Sequence, residues 1–283
     1  MIRKAKQLTG GNQILNESCK TKIKGYLEGF IQGMIDEFTE SELDPKKPRP
    51  LRTKSEDGNI KPFHEAILPH GILLVNEFER SFSTKLGTTF EECARLIAIE
   101  HNKHAERGYR IEGEVSSEAI ETIERIVDEI TSKRMKPNYP NLISRVLSAT
   151  KGEKSQRVRI ADLYVETHEG NKLYFEIKSP KPNKGQCLEA TERLLQMHAI
   201  KKQGPPKTQT YYAMAYNPYG VDKRDYNHSF TINYMDVENQ VKIGKEFWDM
   251  IGGVGTYEEV LSIYQKVGVE KGPDLVDQLA LGY

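Results

Sequence analysis

A chain of 283 residues with 37% apolar content can bury one large core or two modest ones. Lys and Arg together number 41, as do Asp and Glu; the zero net charge excludes a generic polycation but leaves room for a local basic face. Three cysteines, an odd number without metal-ligand spacing, argue against a disulfide framework or a zinc module and fit a reducing cytoplasm.

The opening stretch MIRKAKQLTGGNQ is polar and lacks an apolar signal core. Residues 17–38 read as an amphipathic helix, with Ile23, Leu27, Phe30, Ile31, Met34 and Phe38 recurring at spacings of three and four. The proline-rich stretch after it reads as an exposed loop carrying Lys46, Lys47, Arg49, Arg52, Lys54 and, just beyond, Lys61, either a solvated loop or a phosphate-contacting arm. A second helical block covers 62–102, with breaks expected near Pro69 and near Leu86-Gly87. Its last piece would be capped by Thr88 or Thr89. ILPHGILLV, inside that block, is far too short to cross a bilayer, so no membrane association and a cytoplasmic location are expected. A third helix, 117–134, opens at Ser116-Ser117 and ends in basic residues before Pro137.

After about Ser155 the pattern turns to strands. RVRIADLYVETHEGNKLYFEIKSP reads as a hairpin. GQCLEATERLLQMHAIKKQ follows as a helix, then TQTYYAMAYNP as a strand, SFTINYMDV as a fourth strand, and helices over 241–251 and 256–267. This order predicts a mixed α/β fold of the α+β kind: a central mixed sheet flanked by helices, with a helical N-terminal part. A division at residues 1–85 and 86–283 is expected.

The hairpin carries the chemistry. A loop of His168, Glu169 and Gly170, with Gly170 left-handed, pairs Thr167 with Asn171 and so Asp162 with Glu176. Opposite residues have Cβ atoms about 5 Å apart, and Lys178, two residues beyond Glu176, projects to the same side. A one-residue slip would put Asp162 on the other face. Two carboxylates this close repel unless a cation lies between them. Mg²⁺ suits them, with the Ile177 carbonyl as a further ligand, for metal-assisted hydrolysis of a phosphodiester in which Lys178 orients or helps deprotonate the water.

Asp162, thirteen intervening residues, then Glu176-Ile177-Lys178 resembles the PD-(D/E)XK nuclease motif, with Ala161 where the motif's name has proline. With Lys61 to Pro69, Phe90-Glu91, Ser179-Pro180-Lys181 and Phe247 to Gly253, the chain is similar to TdeIII-type type II restriction endonucleases. That resemblance implies a Mg²⁺-dependent homodimer cutting a short palindrome, GGNCC-like, in double-stranded DNA, paired with a DNA methyltransferase. It also implies a supporting acid on a helix before the hairpin. Glu91 is the match, against the alternative that Glu91 merely favours a helix N-terminus.

Lys181, Lys184 and Gln186 could touch phosphates beside the cut or form an ordinary basic turn. Arg224, in a polar and aromatic loop between strands, could reach a groove. His64 and Glu65 could lie near DNA or be structural. Three alternatives stay open: a repair or recombination nuclease on the same core, a non-catalytic DNA-binding protein, and a small-molecule binder with a fortuitous acidic patch.

Overall fold

The computed structural model describes residues 14–38, 46–56 and 58–278. The opening polar stretch and part of the basic loop lie outside them. Among the described residues two compact units form, one from 14–21 with 94–260, the other from those within 22–93 with 261–278. The helices are α1 (Glu17–Phe38), α2 (Pro62–Ile67), α3 (His70–His101), α4 (Ser117–Thr131), α5 (Tyr139–Ser148), α6 (Lys184–Lys201), α7 (Ser229–Tyr234), α8 (Val237–Gln240), α9 (Lys245–Gly252) and α10 (Thr256–Gln278). The strands are β1 (His104–Ser116), β2 (Lys154–Glu166), β3 (Lys172–Ile177), β4 (Thr208–Met214) and β5 (Val241–Ile243). They form one mixed sheet in sequence order, antiparallel from β1 to β3 and parallel from β3 to β5. A parallel step needs a long crossover, and α6 supplies it between β3 and β4. The expected fold class is the one observed.

Around β3 both faces of the sheet are covered, so every residue from Leu173 to Ile177 is buried, whereas β1 and the first half of β2 are partly exposed. On one side the rings of Tyr109, Tyr164 and Tyr174 pile up at centroid distances of 4.1 and 5.1 Å, in the core that also holds residues of α4, α5 and α6. On the other, Phe175 meets Phe247 of α9 edge-on at 5.5 Å, and the Trp248 indole donates to the Ala215 carbonyl at 2.8 Å. The side of the hairpin opposite Leu173 and Phe175 is therefore a second packed interface.

The hairpin register is the expected one. Tyr164 faces Tyr174 and Glu166 faces Lys172, Thr167 N–H donates to the Asn171 carbonyl, and Gly170 has φ +77°. No atom lies within 4 Å of a Cβ built on Gly170, so a substitution there tests backbone conformation alone. Gly170→Ala is expected to cost about 1 kcal/mol by urea unfolding, and Gly170→Asn less, because asparagine tolerates the left-handed region. Equal losses would point to something other than φ.

Several expectations give way. The helix expected to break at Leu86-Gly87 runs through as α3, and the Thr89 hydroxyl bonds back to the Leu86 carbonyl as in a helix interior. One internal glycine costs about 1 kcal/mol, which tertiary packing overrides. Thr88 and Thr89 are therefore not caps, and Glu91 lies far from a helix start. SFTINYMDV is not a strand. Its first six residues form α7, burying Thr231 and Tyr234 three apart while Phe230 and Ile232 are largely exposed. The fourth strand of the expected sheet is instead β5, taken from the start of the helix expected at 241–251. In the second unit Arg49 forms a two-pronged pair with Glu77, and Arg52 pairs with the buried Glu65. Those two arginines and Glu65 are thus occupied internally.

Candidate active site

The site lies where β2 and β3 part. Their ladder ends at Leu163↔Phe175, whereas β3 continues alongside β4 to Ile177↔Ala213. The next antiparallel pair would be Asp162 and Glu176. Instead the Asp162 carboxylate enters the fork, and its Oδ2 accepts the Ile177 N–H at 2.8 Å. On its other side, β1 and β2 pair on both flanks of Gly108 and Asp162 but skip that pair, and Gly108 has φ +61°. The strand changes phase there: Ala161 and Tyr164, three residues apart, face the same core. The interruption frees Asp162 from regular alternation, in keeping with a glycine inside a strand.

Lys178 Nζ lies 2.7 Å from Asp162 Oδ2 and 3.4 Å from Glu176 Oε2, so both acids share one ammonium. Arg193, projecting from α6, places Nε 3.0 Å from Glu176 Oε1. That approach is close enough for an ion pair but out of line for a hydrogen bond, so the buried Oε1 has no hydrogen-bond partner. The Glu176 side chain is 1% exposed, against 17% for Asp162, 42% for Lys178 and 32% for Arg193. Burial, and then the charge of Asp162, push the Glu176 carboxyl above its ordinary value, with Lys178 and Arg193 opposing them. Burial also opposes the Lys178 charge, but the Asp162 and Glu176 carboxylates more than offset it and hold the ammonium above the usual lysine value.

The segment after Lys178 is pinned by two phenols. Tyr212 donates to the Ser179 carbonyl at 3.1 Å and Tyr226 to the Pro180 carbonyl at 2.7 Å. Asn183 then caps α6 reciprocally with Gln186, and Gln186 lines a cavity of about 150 Å³ together with Glu176, Lys178, Glu189 and Arg193.

Asp162, Glu176, Ile177 and Lys178 are thus brought together. Lys181 and Lys184 lie just beyond, with their ammonium groups 5.5 Å from the Tyr219 ring and 5.1 Å from the Tyr234 ring. Arg224 is exposed on a short 3-10 turn, Lys223–Asp225. Glu91 is half-buried in α3, in the second unit. Arg193 escaped sequence reasoning. Its signal was a basic residue in the helix after the motif, but only the β3–α6 packing shows that it reaches Glu176.

The donor set fits a hard divalent cation. It offers two oxygen-bearing acids at one point and a buried carboxylate oxygen without a donor, and Mg²⁺ needs only one or two protein carboxylates. Among the described residues no group of three His, Cys, Asp or Glu side chains is placed to hold a metal, so water and substrate oxygens would complete the shell.

A mixed sheet flanked by helices, with two acids and a lysine at a strand fork, is consistent with a restriction-endonuclease-like core. Residues 14–268 match the profile of the HinfI type II restriction endonucleases, and the chain belongs to that family. Over 270 residues it is 42% identical to the type II restriction enzyme HgiCII of Herpetosiphon aurantiacus, an alignment covering 94% of this chain and 99% of that enzyme. HgiEI of the same organism is 41% identical, with 94% and 98% covered. MjaII of Methanocaldococcus jannaschii is 24% identical over 69% of this chain and 55% of that enzyme.

Proposed function

We propose that this protein is a Mg²⁺-dependent type II restriction endonuclease with a PD-(D/E)XK core of the TdeIII type. Its substrate is double-stranded DNA with a short palindromic, GGNCC-like site, cut to leave 5′-phosphates. It acts in the cytoplasm as a homodimer, one active site per strand, beside a methyltransferase that protects the same sequence. Residues 86–283 are the catalytic domain, and residues 1–85 serve DNA contact and dimerisation.

The observation that carries this reading is the meeting of Asp162, Glu176 and Lys178 at the β2–β3 fork, with one buried carboxylate oxygen left open. Asp162, Glu176 and the Ile177 carbonyl hold the cation. When bound, Mg²⁺ polarises the scissile phosphate and acidifies water. Lys178 orients the attacking water or helps deprotonate it, and balances charge developing on the phosphate. Asp162, held by the Ile177 N–H, fixes that ammonium in place. Lys181, Lys184, Gln186 and Arg224 contact the DNA near the cut.

Incubation with plasmid DNA of known sequence in Mg²⁺ is expected to give a fixed set of fragments, abolished by EDTA and restored by excess Mg²⁺. Random degradation, structure-dependent nicking or full activity in EDTA would each overturn the reading.

A further inference from the structure

We infer that Arg193 is a displaceable counter-ion, which neutralises Glu176 before the cation is loaded and then transfers to a DNA phosphate. The inference rests on the function proposed above. Four charged groups meet at the fork: Asp162 and Glu176 against Lys178 and Arg193. They balance without a metal, so a divalent cation entering there leaves two positive charges in excess, and departure of one cationic side chain halves that excess.

The geometry selects Arg193. Lys178 is hydrogen-bonded to Asp162 at 2.7 Å and also lies near Glu176 Oε2. Arg193 faces the other oxygen, Oε1, and faces it off the hydrogen-bond line, so its hold is the weaker one. Oε1 is also the oxygen whose lone pair is left for a ligand. A cation bound there would lie next to the guanidinium, and like charges at such distances inside a protein repel strongly.

Arg193 also has somewhere to go. Its side chain lines the cavity of about 150 Å³ that contains Glu176 and Lys178, and a second, more open one of about 450 Å³ bounded by Val158, Ile160 and Glu192. Glu189, one turn earlier in α6 and 66% exposed, already lies 3.8 Å from Nη1 as an alternative partner. A guanidinium on the wall between two open cavities can turn outward without disturbing the core. Its planar fork matches two phosphate oxygens at once, which an ammonium cannot do.

The test is Mg²⁺ titration by calorimetry of DNA-free protein, wild type against Arg193→Ala and Arg193→Lys, with unfolding midpoints to verify folding. Without the competing cation, Arg193→Ala is expected to bind Mg²⁺ about tenfold more tightly, while Arg193→Lys, which keeps a charge, stays near wild type. In cleavage assays at saturating Mg²⁺, Arg193→Ala should lose about a hundredfold in kcat/KM, and Arg193→Lys should recover only part of it. Tighter metal binding joined to weaker cleavage is the signature, since a purely structural arginine would lower both. Unchanged or weaker Mg²⁺ binding by folded Arg193→Ala overturns the inference and leaves the proposed function standing. Absence of Mg²⁺ binding by DNA-free wild type likewise overturns the inference, whereas the proposed function falls only if cleavage persists in EDTA.

Discussion

Lys178→Ala is expected to lower single-turnover DNA cleavage by about a hundred- to a thousandfold while changing DNA affinity little, because removing one preorganised donor from a developing anion costs about that much. The lysine is held by two carboxylates and kept charged by them, so its contribution falls on the transition state rather than on binding. The same substitution takes a cation from the buried Glu176 carboxylate, so the metal-free variant should unfold at a lower temperature than wild type, and Mg²⁺ should restore much of the difference. Lys178→Arg is the sharper control. It returns the charge without the compact ammonium that fits between Asp162 and Glu176, so stability should recover and the rate should not. Single-turnover rates on a plasmid, with filter binding in parallel, check the first statement and melting curves the second. A Lys178→Ala protein that cuts at the wild-type rate would remove the lysine from the chemistry.

The hairpin was legible because its information is local. Gly170 fixes the turn, the turn fixes the register that sets Asp162 against Glu176, and alternation puts Lys178 beside Glu176, while Asp162 reaches them through the break opposite Gly108. Chemistry and register were thus encoded within about twenty consecutive residues. The local interruption at Gly108 and Asp162 was not readable, because it depends on β1, whose apolar residues Ala105, Tyr109, Ile111 and Val115 all fall on alternate positions and give no sign of a break. Arg193 was invisible for the same reason: its partner is 17 residues away and meets it only through packing of α6 on the sheet.

Elsewhere the sequence misled where tertiary contacts outvoted propensity. The β-branched and aromatic run in 229–234 has strand composition, yet Thr231 is held by the Tyr226 and His228 side chains and is buried with Tyr234, three residues on, as one helical face. β5 is only three residues long, too short for alternation to register. By composition the basic loop was either a solvated loop or a phosphate-contacting arm, and composition cannot show that Arg49 and Arg52 already have partners in Glu77 and Glu65.

Glu176→Gln should separate what the buried carboxylate does for catalysis from what it does for the fold. Cleavage should fall to background, since the amide brings no charge to the cation. Stability should move the other way. The Glu176 carboxyl is pushed up by burial and by Asp162, so the folded protein disfavours the ionised form despite Lys178 and Arg193. A carboxyl whose folded pKa lies above its unfolded value makes the folded state bind more protons between the two. Stability then falls as pH rises through that window, and the penalty is complete above the folded value. Glutamine removes the penalty, so in EDTA at pH 8 the variant should melt above wild type, by about 2–4 °C for each kcal/mol recovered, and the gap should narrow as pH falls towards the ordinary carboxylate range. Added Mg²⁺ should raise the wild-type midpoint and leave the variant's unchanged. A variant less stable than wild type in EDTA at pH 8 would mean that Arg193 and Lys178 more than repay the burial of Glu176, and the carboxylate would then be a structural ion pair rather than a site held open for a cation.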